Sequence, residues 1–261
     1  MIRVGLPAYN ESRRIKNLLL DTHKSLSGGG ADYEIVVYDD GSSDDTVSQV
    51  MSMRDQGVNA RVIEGKENKG LGHALWYLIC HLADMSSPDD TVIIMDADAT
   101  HNPEHIHRML GYIKDGFDVV IASRYTPYSR IRGLRFYRRV LSNMANFLLK
   151  MLFPIKGVSD YSCSYRAYTA KILQLAKSIY RDKLIEEKGF ACMAELLIKL
   201  RRLHIIACET SLLLRYDKKA GRTKMDVLDT ALKTLRLILK SFFLPKLSHK
   251  KIARLRERYK I

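Results

Sequence analysis

The chain has 261 residues, of which 46% are hydrophobic, and it carries a formal net charge of +14 at pH 7. It is long and apolar enough to bury a substantial core, which excludes a low-complexity chain and fits one large α/β domain or a domain with an appendage. No run of about 18 or more uninterrupted apolar residues occurs, so we expect no membrane-spanning helix.

The amino terminus and the cysteines indicate a reducing compartment. The chain opens on MIRVGLPAYNE, so we expect the first strand almost at the initiator methionine and no secretory signal. The four cysteines have no paired metal-type spacing, and we expect ordinary thiols in a cytosolic protein. They are Cys80, Cys163, Cys192 and Cys208.

The first half of the chain alternates apolar runs with amphipathic segments. Strands separated by helices of this length predict an α/β fold with a mostly parallel sheet and right-handed crossovers. The predicted strands span residues 2–6, 34–38, 60–63, 91–95 and 118–122. The predicted helices span residues 11–26, 44–55, 70–83 and 103–115.

The second half is different in character, because residues 124–156 and 215–261 are strongly basic. Such asymmetry indicates an anionic partner: nucleic acid, a membrane surface or a phosphorylated substrate. The predicted elements are a helix at 134–153, a loop at 158–168 leading to a strand, a helix at 190–202 carrying Glu195, a strand at 204–214 and a helix at 226–244. One face of the last helix carries Leu228, Leu232, Leu235, Ile238 or Leu239, and Phe242.

Polar clusters follow four of the predicted strands where each strand ends. Open parallel sheets bind ligands beyond the carboxyl ends of their strands, so these clusters predict a single site. The clusters are residues 7–11 (PAYNE), 39–42 (DDGS), 96–98 (DAD) and 123–125 (SRY).

Asp96 and Asp98 need a reason to converge, because two like charges repel. One reason is a hard cation: Mg²⁺ or Mn²⁺ is usually held by one or two carboxylates together with water and phosphate oxygens. A glycoside hydrolase would instead place two carboxylates roughly 5 to 9.5 Å apart around a sugar. A simple structural turn is the third reading of the same residues.

The motifs PAYNE, VVYDDGSSDDT, MDADATHNPE and ASRY, in this order, resemble the family 2 glycosyltransferases with the GT-A fold over about residues 1–225. Within that family, RRVLS and DYSCSYRAY resemble the polyprenyl-phosphate sugar synthases, such as dolichol-phosphate mannose synthase. The resemblance implies an inverting, metal-dependent transfer of a sugar from a GDP- or UDP-linked donor to a dolichyl or undecaprenyl phosphate.

The resemblance also implies roles for individual residues. Asp96 and Asp98 would hold Mg²⁺ or Mn²⁺, and Thr100 stands where the mannose synthases have a metal-binding glutamine. The acceptor phosphate would meet Arg124, Arg138 and Ser142, and the catalytic set would be Asp98, Arg124 and Asp160. The nucleotide sugar would lie against Pro7, Ala8, Tyr9, Glu11, Tyr38, Asp40, Asp96, Ala97 and Asp98, with Arg215, Arg222 and Lys224 in a loop that closes over its diphosphate.

Two alternatives concern the acceptor and the protein class. A soluble or polysaccharide hydroxyl acceptor would need a base, for which Asp160 is the candidate; the other reading of Asp160 is a loop aspartate that caps its own backbone. The net charge also fits a nucleic-acid-binding protein, but no recognised motif supports that class, so no nucleic-acid partner is expected. A nucleotidyltransferase lacks its expected Gly-rich amino-terminal signature here.

We expect two parts in the chain: a GT-A domain at 1–225 and a basic, amphipathic tail at 226–261. The tail would place the protein peripherally on the cytoplasmic face of a membrane. The alternative is that the same apolar face packs on the domain's own core, on a second copy of the chain or on a membrane protein.

Overall fold

A computed structural model describes residues 1–30, 32–132, 136–215, 227–245, 247–259 and 261. At positions 131, 132, 136–139, 215, 227, 228, 249 and 251 it describes the backbone only. Arg222 and Lys224 therefore lie outside the described residues, as do the side chains of Arg138 and Arg215.

The first half folds as predicted, with strands and helices in alternation. The strands are β1 Ile2–Ala8, β2 Tyr33–Asp39, β3 Ala60–Glu64, β4 Thr91–Ile94 and β5 Val119–Ser123. The helices are α1 Ser12–Ser27, α2 Thr46–Asp55, α3 Leu71–Met85 and α4 His105–Lys114.

The second half adds shorter strands and longer helices. Its strands are β6 Arg130–Arg132, β7 Arg166–Thr169, β8 Ala207–Ser211 and β9 Leu213–Arg215. Its helices are α5 Phe136–Leu152, α6 Ala170–Tyr180, α7 Cys192–Arg201, α8 Val227–Phe242 and α9 His249–Tyr259, with a short 3₁₀ turn at Arg181–Lys183.

Seven strands form one sheet in the order β3-β2-β1-β4-β7-β5-β8. All neighbours are parallel except β7, which runs antiparallel between β4 and β5. The register pairs Ala8 with Asp39 and Gly5 with Ile94, so β1, β2 and β4 end at the same edge of the sheet. The predicted mostly parallel sheet is therefore confirmed, and its carboxyl edge gathers the polar loops.

The second half differs from the sequence prediction in several elements, and strand β6 is one that was not predicted. The single strand expected at 204–214 is two strands: β8 pairs with β5, whereas β9 pairs with β6 in a separate two-stranded sheet. The chain changes sheets at Leu212, which is buried between them. Helices α6 and α9 were not predicted.

Helix α8 packs on the domain through one face and exposes another. Leu237 and Ile238 are buried in the main core, whereas Leu232, Leu235 and Leu239 are 61%, 49% and 62% exposed. The apolar face predicted from the sequence is therefore split, because only its Ile238 side reaches the core. None of the described helices is both long and apolar enough to span a bilayer.

Gly72, near the start of α3, has no room for a side chain. A Cβ atom there would lie 1.7 Å from the Glu187 carbonyl oxygen, and the Gly72 N–H donates to Lys188 O at 2.9 Å. This close backbone approach holds the loop before α7 against α3.

We expect Gly72→Ala to destabilise the protein by about 1–3 kcal/mol, because two backbones must move apart. The matched control is Gly111→Ala in α4, where a Cβ atom meets nothing within 4 Å. That control should be neutral or stabilising by about 0.5–1 kcal/mol. Thermal melts of both variants test the contact, and a wild-type melting temperature for Gly72→Ala would refute it.

Candidate active site

The loops that follow β1 and β2 are joined by hydrogen bonds. The backbone N–H of Asn10 donates to Ser42 Oγ at 2.8 Å, and Ser43 N–H donates to Asn10 Oδ1 at 2.8 Å. Asp40 N–H donates to Ala8 O at 2.8 Å. The two predicted nucleotide-binding loops therefore form one structural unit at the sheet edge.

Pro7 and Ala8 are buried within β1, while Tyr9 and Glu11 are half-buried just beyond its end. These four residues lie where the sequence places them, at the carboxyl edge. The half-buried pair is the part of this set that a ligand can reach without movement of the strand.

Two other residues that were predicted to bind the nucleotide make contacts within the protein. Asp40 accepts from Lys69 N–H at 3.1 Å and from Gly70 N–H at 2.8 Å, and so fixes the loop before α3. Tyr38 is 4% exposed and its ring lies 4.7 Å from that of Tyr77, and burial raises the pKa of its hydroxyl. Tyr38 therefore packs on α3 and Asp40 positions the loop before α3, and their contact with a nucleotide stays a prediction.

The DAD motif forms a tight turn after β4. Asp98 is 8% exposed, and its Oδ1 accepts from Thr100 N–H at 3.1 Å and from the Thr100 hydroxyl at 2.6 Å. Asp96 is half-buried, and its backbone N–H donates to His101 Nδ1 at 3.3 Å. Thr100 therefore orients a carboxylate, which differs from the metal-binding role that the resemblance to the mannose synthases implies for a glutamine at this position.

The turn suits a hard divalent cation. Asp96 and Asp98 border the same cavity and present carboxylate oxygens, which Mg²⁺ and Mn²⁺ prefer. Among the described residues, no cluster of three or more His, Cys, Asp or Glu side chains could hold a metal by itself. Two carboxylates with a donor diphosphate and water would complete an octahedral set, so the residues fit a cation that arrives with a nucleotide.

Arg124, at the end of β5, is held by a fully buried carboxylate. Its Nε and Nη2 donate to the two oxygens of Asp160 at 2.8 and 2.7 Å, and its backbone N–H donates to Asp160 Oδ2 at 3.1 Å. Asp160 also accepts from the N–H groups of Ser162 and Cys163. Both carboxylate oxygens are thus engaged, as expected for the loop-capping reading of Asp160.

Burial alone would raise the pKa of Asp160, but the Arg124 guanidinium outweighs it, and the pKa lies below the usual aspartate value. A carboxylate with a lowered pKa is a weak base near neutral pH. The geometry and the pKa therefore both argue against Asp160 as the base of a hydroxyl transfer and assign it to positioning Arg124.

Helix α5 supplies a polar link to this ion pair. The Asn146 amide is buried and donates to Tyr125 Oη at 3.1 Å and to Ser162 Oγ at 3.0 Å, and its Oδ1 accepts from Tyr161 N–H at 2.7 Å. Ser142 lies one turn earlier and borders the same cavity. Asn146 was missed from the sequence, although an asparagine on the apolar face of a helix was the available signal.

A cavity of about 150 Å³ brings these groups together. Its charged part is formed by Asp96, Asp98 and Arg124. The rest of its lining mixes apolar and polar side chains. The apolar ones from α5, α7, α8 and the two residues before α7 are Leu141, Ala145, Leu149, Phe190, Ala191, Met193, Ala194 and Ala231. The polar ones include Thr100, His101, Ser142, Asn146, Ser162, Ser164, Thr230 and Thr234. The structure thus joins the predicted metal and acceptor residues and places an apolar lining next to them.

Glu195, on α7, lies behind this cavity in a structural network. It is 1% exposed, accepts from the N–H groups of Glu186 and Glu187 at 2.8 Å each, and pairs with Lys199 at 2.7 Å. Its oxygens hold the loop before α7, so an acceptor contact is not needed to explain its burial.

Comparison with known proteins gives named relatives over part of their length. The chain is 30% identical over 199 residues to a dolichol-phosphate mannosyltransferase of Pyrococcus furiosus, covering 76% of this chain and 52% of that protein. It is 31% identical over 173 residues to a polyprenol monophosphomannose synthase of Mycolicibacterium smegmatis, covering 66% and 62%. The chain thus spans only about half to three fifths of these relatives.

Solved structures of glucosyl-3-phosphoglycerate synthase from Mycobacterium tuberculosis share the fold. One, with Mn²⁺ and UDP-glucose, has a TM-score of 0.67 at 23% identity, over 94% of this chain and 80% of that one. Another, which also holds phosphoglyceric acid, has a TM-score of 0.66 at 22% identity over the same shares. At this identity the likeness establishes the fold alone, and it confirms the predicted GT-A architecture.

The family model described as glycosyl transferase family 2 matches residues 4–175, which is more than half of the chain. The match spans the strand-end loops, the DAD turn, Arg124 and Asp160. The chain therefore belongs to glycosyl transferase family 2.

Proposed function

We propose that the protein transfers a sugar from a GDP- or UDP-linked donor to a polyprenyl phosphate, with inversion and with Mg²⁺ or Mn²⁺ at Asp96 and Asp98. The observation that carries the proposal is the cavity in which these carboxylates and Arg124 adjoin apolar walls from α5, α7 and α8. An acceptor with an anionic head and a hydrocarbon tail matches both parts of that lining. The names of the two polyprenyl-dependent relatives support the same acceptor class.

Arg124 is the group that we assign to the acceptor phosphate. Its Nε and Nη2 are turned towards Asp160, and among the described residues none accepts a hydrogen bond from Nη1. Because Arg124 borders the cavity, Nη1 is available to a ligand there. A guanidinium fixed on one side by a carboxylate suits a phosphate on the other, since its planar fork is already oriented.

A phosphate acceptor also resolves the question of the base. A polyprenyl phosphate is already anionic near neutral pH, so its oxygen attacks the sugar without giving up a proton to the protein. Transfer to a hydroxyl would need a base, and the lowered pKa and fully engaged oxygens of Asp160 disfavour it in that role. The protein's contribution is then positioning and electrostatic stabilisation.

The donor side uses the DAD turn. When bound, the cation would supply Lewis-acid stabilisation of the charge that develops on the leaving nucleoside diphosphate. Thr100 holds Asp98 in place for this task, and Tyr9 and Glu11 lie at the adjacent strand end for the nucleotide. Arg215, Arg222 and Lys224 stay predictions for the diphosphate.

A membrane surface is the proposed partner, because helices α5 and α8 expose apolar side chains. The described side chains show an apolar strip on α5 and α8: Val140, Met144, Phe147, Met151, Leu232, Leu235, Leu239, Phe242 and Phe243, each at least 39% exposed. Helix α8 itself carries the exposed cations Arg236 and Lys240, and α9 carries Lys250, Arg254 and Arg258. Apolar side chains with basic neighbours suit an interface rich in anionic lipid.

This strip is on the same two helices that line the cavity, so an acceptor held in a bilayer would have a short route to Arg124. We accordingly propose a peripheral location on the cytoplasmic face of a membrane. A membrane protein or a second copy of the chain would bury the same strip, and either is an outcome of the flotation test below.

The activity test is a screen of radiolabelled GDP- and UDP-sugars with purified protein, Mn²⁺ or Mg²⁺, and vesicles containing polyprenyl phosphate. We expect label in the organic extract for one donor. A parallel arm replaces the lipid with phosphoglyceric acid or a free sugar. Label in a water-soluble product alone would contradict the lipid acceptor while leaving a glycosyltransferase.

Asp98→Asn should lower transfer at least a hundredfold, or about 2.7 kcal/mol or more, because it removes a carboxylate charge that would hold the cation, and the cation offsets the charge of the leaving diphosphate. The amide oxygen can still accept from Thr100, so the melting temperature should hold. Asp89→Asn is the control, since that side chain is 92% exposed. Undiminished transfer by Asp98→Asn, or by wild type in excess EDTA, would exclude the metal site.

Arg124→Lys should raise the KM for polyprenyl phosphate about tenfold to a hundredfold and leave the donor KM within about threefold. Lysine keeps the charge but loses the fork, and a charge-assisted contact is worth about 1.5–3 kcal/mol. Arg130→Lys, at an exposed position on β6, should change neither constant. A rise in the donor KM alone would move Arg124 to the donor side.

Wild-type protein should float with vesicles that contain anionic lipid and be partly released by high salt. A triple variant, Phe147→Glu, Leu239→Glu and Phe243→Glu, should lose most of this binding. Met51→Glu is the control, because Met51 is 47% exposed on α2, away from the strip. Flotation of the triple variant at the wild-type level would contradict this surface, and a wild-type dimer that the triple variant dissociates would indicate a second copy instead.

A further inference from the structure

Arg14, on α1, contacts the backbone of the metal turn from outside the cavity. Its Nη1 donates to the carbonyl oxygen of Asp98 at 3.1 Å. Arg14 is half-buried and borders a groove between α1 and residues 99–103, which is a different opening from the cavity that holds the carboxylates. The sequence does not distinguish Arg14 from its exposed neighbour Arg13, so it does not predict this contact.

The turn needs such a hold because its backbone is strained. Ala99 has a φ of +57°, in the left-handed region that residues other than glycine rarely adopt. Rotation of the Asp98–Ala99 peptide would relieve that conformation and redirect the carboxylate of Asp98. The Arg14 hydrogen bond fixes the carbonyl of that same peptide and so opposes the rotation.

The other contacts of the turn act on different atoms. Thr100 holds the Asp98 side chain through Oδ1, and His101 accepts from the Asp96 N–H. Arg14 reaches the carbonyl of Asp98 from a separate element, α1, while β9 contacts the end of the turn through a backbone bridge between Leu214 and His101. The turn is thus held both from within and from α1.

We propose that Arg14 is a positioning residue for the cation: it fixes the Asp98 carbonyl and thereby the aim of the Asp98 carboxylate. The inference rests on the proposed metal-dependent transfer. It assigns no contact between Arg14 and substrate, so its loss should weaken the response to metal before it weakens donor or acceptor binding.

Three variants test the assignment: Arg14→Ala removes the donor, Arg14→Lys keeps a cationic donor, and Arg13→Ala removes an exposed neighbouring charge. Binding of Mn²⁺ is measured by the loss of the free-ion EPR signal, with protein alone and with added GDP or UDP. We expect Arg14→Ala to raise the dissociation constant for Mn²⁺ about tenfold, Arg14→Lys to recover most of the affinity, and Arg13→Ala to stay within about twofold of wild type.

A kinetic readout separates positioning from general damage. At saturating Mn²⁺, Arg14→Ala should keep the donor and acceptor KM within about threefold of wild type, while the Mn²⁺ concentration for half-maximal rate rises. Unchanged Mn²⁺ binding by Arg14→Ala would overturn the inference. If Arg14→Ala does not fold, Arg14→Met replaces it, because methionine keeps an apolar stem of similar length. Mn²⁺ affinity of Arg14→Met equal to that of the wild type would also overturn the inference.

Mn²⁺ binding by the wild type distinguishes failure of the proposed function from failure of the Arg14 inference. Absence of Mn²⁺ binding by wild type, with or without nucleoside diphosphate, would defeat the proposed metal-dependent function and this inference with it. Wild-type binding that Arg14→Ala leaves unaltered would defeat the inference alone.

Discussion

A carboxylate buried as completely as that of Asp160 has to be neutralised inside the protein, because an unpaired buried ion costs several kcal/mol. The chain meets this requirement with Arg124 from the end of β5 and with two N–H groups of the loop that follows Asp160. Glu209 on β8 holds the same loop by accepting from the N–H groups of Ser159 and Asp160 at 2.7 and 2.6 Å. The carboxylates of Asp160 and Glu209 together connect β5 and β8 to the loop before β7.

The same constraint determines what Arg124 can offer a ligand. Its bidentate pair with Asp160 uses one edge of the guanidinium and stops the side chain from rotating, so the other edge keeps a fixed direction. Asn146 on α5 connects to this arrangement through Ser162 and the Tyr161 N–H, which sets the distance of α5 from the sheet. The position of α5 in turn places the apolar wall beside the charged groups. The ion pair therefore organises both the charged part of the cavity and its apolar part.

The sequence was most informative where local pattern and fold agree. Strands β1 to β5 are long, buried runs bounded by turn residues, and the register of a parallel sheet then brings their polar ends together. Prediction failed where the role depends on partners far along the chain. The split of 204–214 depends on which strand each half meets, because β8 pairs with β5 and β9 pairs with β6. The nucleotide contact expected of Tyr38 stays a prediction, although its ring packs against Tyr77 on α3. Arg14 and Glu209 belong to this second class, because their contacts lie 84 and about 50 residues away.

The fold alone does not choose the acceptor, since one architecture can host several chemistries and the choice is made by groups at the site. Here two properties of the site bear on the acceptor: whether a base is present and which side chains line the cavity. Because the pKa of Asp160 is lowered, its carboxylate is ionised at neutral pH and stays paired with Arg124. The stabilisation from this pair is lost only when the pH falls through the lowered pKa. A site with a permanent ion pair in place of a poised base is suited to an acceptor that arrives already ionised. The apolar side chains that α5, α7 and α8 bring to the same cavity as Arg124, such as Leu141, Met193 and Ala231, add the second condition, because they offer a hydrocarbon chain a matching surface.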